Sequence, residues 1–408
     1  MLSEGGVTPP STFRAKVGRL AQRALPNLDE WQWNRSRDAE AARLVRERGY
    51  TSRLADIPDS VSVATTPRLV IVPKDGPTYD NWKVAGGNFF FEISQAAREY
   101  VGAETVDLFS PRLDEPVAEW HERLIRHLID TEATHLMVMA ETDPDGAETW
   151  NWDILWSQLA PRWGGVMLGV VFDSAYRWIS IPVRRLARMN DRFVLVDICM
   201  PMDGSMVAGR PEVGPVNMPV SNLTMAEVDA RVAGLPKIYD VSFLGSLYPQ
   251  RVEMIEALRA RGVNVAVNPH HSSGEVLDLA GSRVHQPGYV DYMAGLAQSH
   301  MTINFGRSSA GDFFQLKTRI LEAELVGCVI LTDDVDRTER FWVPGEEYGY
   351  FETPEDVPDL VASLLSDPER LARMQEAGKQ RARAINIASF WGGIEDGLHR
   401  RSLPALKS

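Results

Sequence analysis

The chain is poor in cysteine and has no long apolar run. Its 408 residues include only 2 cysteines, Cys199 and Cys328, each within an apolar segment, so buried thiols of a cytoplasmic protein are expected and not a disulfide framework. No apolar stretch approaches the roughly 20 residues of a membrane-spanning helix. The first residues, MLSEGGVTPPSTF, also lack the apolar segment of a signal peptide. These absences predict a cytoplasmic protein with no membrane span.

Positive charge is scarce as well. The 43 lysines and arginines are outnumbered by 56 aspartates and glutamates, which gives a net charge of −13. A broad nucleic-acid surface needs a basic face, so this balance disfavours nucleic acid as a partner. A local basic pocket for a nucleotide diphosphate is still compatible with it.

Metal-ligand and dinucleotide-binding signatures are also missing. No Cys/His spacing typical of a metal site occurs, and the pair Asp143/Asp145 flanks Pro144 and precedes Gly146, a pattern typical of a turn. The Gly86–Gly87 turn lacks the G-x-G-x-x-G fingerprint. The sequence therefore predicts neither a required metal nor a bound cofactor.

What the chain does have is an alternation of strand-like and helix-like segments. Its length favours two domains, and the alternation favours parallel, doubly wound sheets in both halves. We expect a helical extension over residues 1–66, a first Rossmann-like domain over 67–222, a second over 223–385 and a closing helix over 386–408. The extension should hold helices at Ala15–Leu25 and Ala39–Arg48 with Trp31 and Trp33 between them, and the second domain a helix at Tyr289–Ser299. The predicted strands are Leu69–Val72, Thr105–Phe109, His135–Met139, Val166–Phe172, Phe193–Ile198, Tyr239–Leu244, Val263–Val267, Met301–Phe305 and Val329–Leu331.

The most informative stretch runs from Gln315 to Gly378. Apolar residues recur at helical spacing from Leu316 to Leu325, and Gly327 ends that predicted helix. Polar groups fall within its first turns, near the positive end of the helix, where an anionic ligand that carries hydroxyl groups is well accommodated. These groups are Lys317, Thr318, Arg319 and Glu322.

This stretch resembles the C-terminal half of GT-B glycosyltransferases, especially the spore-maturation-type branch. The family signature reads roughly R-x-x-E-A-x-x-x-G, then a strand, then P-G-x-E, then D-P-E followed by A-G. The chain carries it as Arg319–Ala323 with Gly327, Pro344–Glu347, Asp367–Glu369 and Ala377–Gly378. The resemblance implies a GT-B fold, in which two Rossmann-like domains face a cleft and the last helix returns to the first domain.

The resemblance also implies a donor site for a nucleotide-diphosphate sugar of the UDP or GDP type. Glu322 matches the glutamate that holds the donor ribose, and Arg319 or Lys317 would neutralise the diphosphate. The segment FLGSLYPQR, with Gly245, Ser246 and Arg251, resembles the turn at which the family places the diphosphate. A plain strand-turn-helix glycine or a solvated helix face would be the structural alternatives.

Two further segments are candidates for the same site. Gly306 and Arg307 follow the strand Met301–Phe305, so they are expected on the same rim, unless the segment is only a polar surface loop. Glu347 belongs to a Pro-Gly-Glu-Glu turn that resembles the family's loop over the donor, with a surface acidic turn as the alternative.

The N-terminal half offers candidates for a catalytic base. An inverting enzyme needs a base in the N-terminal half, and Glu141 and Asp173 lie at predicted strand ends there, although Asp173 is also suited to cap a helix. Many retaining relatives carry a second glutamate that here falls on Phe314. The choice between retention and inversion therefore stays open.

The sequence thus predicts a glycosyltransferase that moves a sugar from a nucleotide-diphosphate sugar to the hydroxyl of a small molecule, glycan or protein. Three alternatives remain. A sugar-nucleotide epimerase would share the fold, a non-catalytic scaffold or glycan-binding protein would retain it without chemistry, and a transferase acting on modified phage DNA would require a basic cleft.

Overall fold

A computed structural model describes most of the chain. The described residues are 26–73, 89–140, 151–172, 174, 176–198, 213–245, 249–267, 278–279, 282–283, 288–306, 315–333, 335 and 337–407. Within them, two five-stranded parallel sheets form the centres of two α/β domains.

The first sheet has the strand order β2-β1-β3-β4-β5. Its strands are β1 (Leu69–Val72), β2 (Val106–Leu108), β3 (His135–Met139), β4 (Val166–Val171) and β5 (Phe193–Asp197). Strands β1, β3 and β4 are buried along their whole length, which explains their near-continuous apolar sequence. The helices of this half are α1 (Pro26–Glu47), α2 (Tyr50–Arg53), α3 (Phe89–Val101), α4 (Val117–Asp130), α5 (Trp152–Leu159) and α6 (Arg177–Met189).

The second sheet has the order β12-β11-β10-β6-β7. Its strands are β6 (Tyr239–Phe243), β7 (Val265–Val267), β10 (Ser299–Ile303), β11 (Val329–Thr332) and β12 (Gly349–Tyr350), while β8 (Asp278–Leu279) and β9 (Ser282–Arg283) form a separate antiparallel pair. The helices are α7 (Asn222–Val232), α8 (Pro249–Ala260), α9 (Tyr289–Ala297), α10 (Arg319–Leu325), α11 (Val357–Ser366) and α12 (Pro368–Arg400).

Helix α12 joins the two halves. It is one continuous helix of 33 residues, so the boundary expected at residue 386 falls inside it. Its first part packs on α10, whereas Phe390 and Trp391 are buried in the core beneath the first sheet. Between these parts, the Asn386 side-chain amide binds both backbone groups of Val220, at 2.8 Å and 2.6 Å, and so fixes the segment that leads into α7.

The N-terminal extension differs from expectation in one respect. We expected Trp31 and Trp33 to lie between two helices, but both lie within α1. Residues 1–25, where the first of those helices was expected, lie outside the described residues. Ion pairs attach α1 to the first domain, with Arg37 at 2.7 Å from Asp153 and Glu30 at 2.8 Å from Arg184.

Candidate functional site

The carboxyl ends of the parallel strands β6 and β10 meet the start of α10 at one rim of the second sheet. Strand β6 pairs with β10, and β10 pairs with β11, which follows α10 in the chain. Gly245 comes just after β6, Gly306 just after β10, and Arg319 begins α10. Ligands of open α/β sheets bind at such a rim, where strand ends and helix starts converge.

Arg319 is held against the turn that follows β6. Its Nη2 donates to the Leu244 carbonyl at 2.7 Å, and its guanidinium carbon lies 4.8 Å from the centre of the Phe243 ring. A Cβ on Gly245 would lie 2.3 Å from this Nη2, so a larger residue here would push the guanidinium away from the turn. The fold therefore places a cation directly beside the backbone of the turn at Gly245.

Arg251 brings a second guanidinium to Phe243 and to the neighbouring ring of Phe305. This residue is only 8% exposed, and its guanidinium carbon lies 5.5 Å from the Phe243 ring centre and 5.3 Å from that of Phe305. Because Arg251 and Arg319 both pack on Phe243, both positive charges lie at this rim. Two guanidinium groups at one rim are well suited to a phosphate or diphosphate.

Glu322 lies one turn into α10 with both carboxylate oxygens engaged. Oε1 accepts a hydrogen bond from the Tyr289 hydroxyl at 2.9 Å, and Oε2 accepts one from the Tyr292 hydroxyl at 2.8 Å. Burial raises the pKa of the Glu322 carboxyl, while the two tyrosine hydroxyls and the nearby Arg319 act in the opposite direction. Burial and the Glu322 charge raise the pKa of both tyrosines well above 10, so both remain donors.

Lys317 lies just before α10 and contacts its own loop. Its Nζ donates to the Gln315 side-chain oxygen at 2.6 Å, and the backbone amide of Gln315 donates to the Gly306 carbonyl at 2.8 Å. The two predicted residues Lys317 and Gly306 therefore belong to one connected segment, which joins the end of β10 to the start of α10.

Glu347 has other contacts. Its Oε2 accepts a hydrogen bond from the Val343 amide at 2.7 Å and so closes the Pro344–Glu347 turn, and its carbonyl lies near Gly378 of α12. The charge of Glu347 contributes to the raised pKa of Glu324, whose carboxylate accepts a hydrogen bond from the Ile330 amide. Arg251, Arg319 and Glu322 thus lie near one another, whereas the described contacts of Glu347 are within a turn that packs against α12.

Four predicted residues lie outside the described part of the chain. These are Glu141, Asp173, Ser246 and Arg307. Their roles stay predictions.

A buried carboxylate that sequence reasoning missed lies where the two domains meet. Glu92 of α3 accepts hydrogen bonds from the Ser221 amide at 2.6 Å and from the Thr224 hydroxyl at 2.5 Å, at the start of α7. Burial raises its pKa to about 7, although both hydrogen bonds favour the ionised form. Glu92 also contributes to the raised pKa of Tyr289, so it is electrostatically coupled to the Glu322 cluster.

The tyrosine pair was missed for a different reason. Tyr289 and Tyr292 are three residues apart on a predicted helix, which puts both on one face, but nothing in that spacing shows that the face meets α10. Only the packing of α9 against α10 brings both hydroxyls to one carboxylate.

Two searches of the described residues bear on the class of site. No group of three or more histidine, cysteine, aspartate or glutamate side chains in that part of the chain is arranged to hold a metal ion. In the same residues, no helix is both long and apolar enough to cross a membrane. Metal independence and a cytoplasmic location remain predictions.

The two parallel sheets and their flanking helices are those of a GT-B protein, with two Rossmann-like domains. An alpha-glucosyltransferase in complex with UDP and a 13-mer DNA containing a HMU base matches with a TM-score of 0.50 and 10% identity, over 83% of this chain and 100% of that one. Sucrose-phosphate synthase from Thermosynechococcus elongatus matches with a TM-score of 0.49 and 13% identity, over 82% and 98%. Anabaena HepE in complex with UDP and glucose matches with a TM-score of 0.48 and 10% identity, over 82% of this chain and 100% of that one.

One sequence comparison found a match, and it lies in the C-terminal half. Residues 250–386 match the model of the family described as Glycosyl transferase-like. A search of curated proteins found no match. The matched range contains Arg251, Arg319 and Glu322, and it confirms that this part of the chain resembles glycosyltransferases.

Proposed function

We propose that this protein is a glycosyltransferase that binds a nucleotide-diphosphate sugar at the rim formed by β6, β10 and α10. The observation that carries the proposal is the pairing of unlike groups in the first turn of α10. Arg319 brings a fixed cation to the turn at Gly245, and Glu322 brings a buried carboxylate three residues later. A nucleoside diphosphate needs both, because its phosphates seek cations and its ribose hydroxyls seek acceptors.

Each contact has a defined part in this proposal. The diphosphate lies against the Gly245 turn, where Arg319 and Arg251 neutralise it and the absence of a Cβ lets the Arg319 guanidinium approach the backbone. The ribose lies over Glu322. Ser246, Gly306, Arg307 and Lys317 complete the donor site in the proposal, and Glu347 supports the adjoining turn.

The proposed reaction takes place between the donor in the second domain and the acceptor in the first. The acceptor hydroxyl oxygen forms a bond to the anomeric carbon, the bond from that carbon to the diphosphate oxygen breaks, and the nucleoside diphosphate leaves. In an inverting reaction the acceptor proton passes to Asp173 or Glu141; in a retaining one it passes to the leaving phosphate. Arg251 and Arg319 supply the positive charge that the leaving group needs, so the proposed reaction requires no metal.

UDP is the first nucleotide to test. The structural neighbour with a TM-score of 0.50 is in complex with UDP, and it also holds DNA. The net charge of −13 disfavours DNA as the acceptor of this protein, so a small molecule, glycan or protein is proposed instead.

A thermal-shift screen with UDP, GDP, dTDP, ADP and CMP tests the proposal. One nucleoside diphosphate, present at 100 times its dissociation constant, should stabilise the protein by about 2.7 kcal/mol. The shift should vanish in Glu322→Ala and persist in Glu376→Ala, which removes an exposed glutamate of α12. If no nucleotide raises the melting temperature of the wild-type protein, the donor-site proposal is wrong and a scaffold role gains support.

A further inference from the structure

Two tyrosines of α9 enclose the carboxylate of Glu322. Tyr289 and Tyr292 each donate a hydroxyl to a different oxygen, at 2.9 Å and 2.8 Å, and their rings stack with centroids 6.0 Å apart at 18°. The geometry fixes the plane of the carboxylate as well as its position, since two donors at two oxygens leave little freedom of rotation. Glu322 itself is 7% exposed.

We propose that Tyr289 and Tyr292 are positioning residues, which hold Glu322 ionised and aimed at the two ribose hydroxyls of a nucleotide. This inference rests on the proposed donor site. It adds a role for α9, an element for which the sequence indicated only a helix.

Acceptor capacity is sufficient for both sets of partners. A carboxylate offers about four lone-pair sites, two on each oxygen. Each tyrosine occupies one site, so one site on each oxygen remains for a ribose hydroxyl. The two remaining acceptor sites, one on each oxygen, match in number the neighbouring 2′ and 3′ hydroxyls of a ribose.

The need for such support follows from burial. A carboxylate withdrawn from water tends to take up a proton, and burial does raise the pKa of Glu322. The tyrosine hydroxyls oppose that rise, and so does Arg319 on the same helix. A protonated Glu322 would lose acceptor sites and charge, so nucleotide binding should fall as pH drops through the pKa of this group.

Among the described residues, two charges on other elements also lie near the cluster. Glu92 of α3 acts on Tyr289 and would disfavour negative charge nearby. From α12, Lys379 reaches the far end of α10, where its side chain lies 3.7 Å from the position of a Cβ on Gly327. Tyr289 and Tyr292 therefore supply direct hydrogen bonds to Glu322, and Arg319 adds an electrostatic contribution that favours its charge.

The opposite role makes the opposite prediction. If the tyrosines instead latch Glu322 shut, a ribose must displace them, and their removal should tighten nucleotide binding. Removing a hydroxyl with Tyr→Phe leaves the ring packing in place, so the two roles can be separated by one substitution at each position.

The test is calorimetric titration of UDP into the wild-type protein, Tyr289→Phe, Tyr292→Phe and the control Tyr350→Phe, over a series of pH values. Tyr350 is an exposed tyrosine of β12. Near pH 7 each α9 variant should bind about tenfold more weakly, as expected for a lost hydrogen bond to a charged group. The pH at which binding is lost should also move upwards, whereas the control should match the wild-type protein.

Outcomes separate this inference from the proposed function. If the wild-type protein binds UDP and Glu322→Ala does not, but both α9 variants keep the wild-type affinity and pH profile, only the positioning role is wrong. Tighter binding by either variant would establish the latch instead. If the wild-type protein binds neither UDP nor any other nucleotide, both proposals fail together.

Discussion

Glu92 gives the sharpest prediction about stability. Its carboxylate is 5% exposed and joins α3 of the first domain to the start of α7, which leads into the second. Burial raises its pKa from the usual 4.5 to about 7. Since the folded state favours the protonated form, the contact stabilises the fold most below pH 4.5, and the benefit is lost as pH rises through about 7.

The magnitude follows from that rise. One unit of pKa corresponds to about 1.4 kcal/mol, so ionised Glu92 costs the folded state about 3 kcal/mol by about pH 8. The isosteric variant Glu92→Gln removes the charge and retains an oxygen for the Ser221 amide, while its NH₂ group can donate to the Thr224 hydroxyl. We therefore expect this variant to be about 3 kcal/mol more stable than the wild-type protein at about pH 8 and nearly equal to it near pH 4.

Urea unfolding of both proteins at the two pH values measures this difference. Glu99→Gln is the matched control, because Glu99 lies on the same helix and accepts a hydrogen bond from the Asn222 amide at 2.9 Å, but is far less buried. It should show a smaller pH-dependent gain. A Glu92→Gln variant that is less stable than the wild-type protein at about pH 8, or equally altered at both pH values, would refute the reasoning.

Two further substitutions separate binding from folding. Gly245→Ala would place a Cβ 2.3 Å from Nη2 of Arg319, whose flexible end can shift. The melting temperature should therefore barely change, while the Kd for UDP should rise about tenfold because the guanidinium is displaced. Unchanged affinity would contradict this prediction. Lys237→Met removes the Nζ that donates to the carbonyls of Ser299 and Gly327 at 2.8 Å and 2.7 Å, which should cost about 2–4 kcal/mol in urea unfolding without altering affinity. Stability within the error of the wild-type value would contradict the second prediction.

The strands of both sheets were predictable because buried parallel strands are apolar on both faces. His135–Met139 and Phe193–Asp197 have this pattern and are fully buried. Helix α6 was not anticipated, since Pro182 interrupts its sequence and its many arginines obscure the apolar face. Several of its arginines pair with α1 and α5, as Arg184 does with Glu30, and such distant contacts leave no local signal.

The candidate site divides in the same way. Arg319 and Glu322 could be singled out because both fall in the first turn of a helix whose sequence carries a recognisable motif. The partners that define their chemistry could not. Tyr292 is 30 residues away from Glu322 in the chain, and Leu244 is 75 residues away from Arg319. Contacts at such separations depend on how the elements pack, which no local pattern encodes.

The central claim is that Glu322 holds the ribose of a nucleotide, and one comparison tests it most directly. Calorimetry would measure the Kd of UDP and of 2′,3′-dideoxy-UDP for the wild-type protein and Glu322→Gln. The account predicts that loss of the two hydroxyls weakens binding to the wild-type protein about tenfold or more, but changes binding to the variant only slightly. If the variant discriminates between the two nucleotides as strongly as the wild-type protein does, Glu322 does not contact the ribose and the proposed donor site is contradicted.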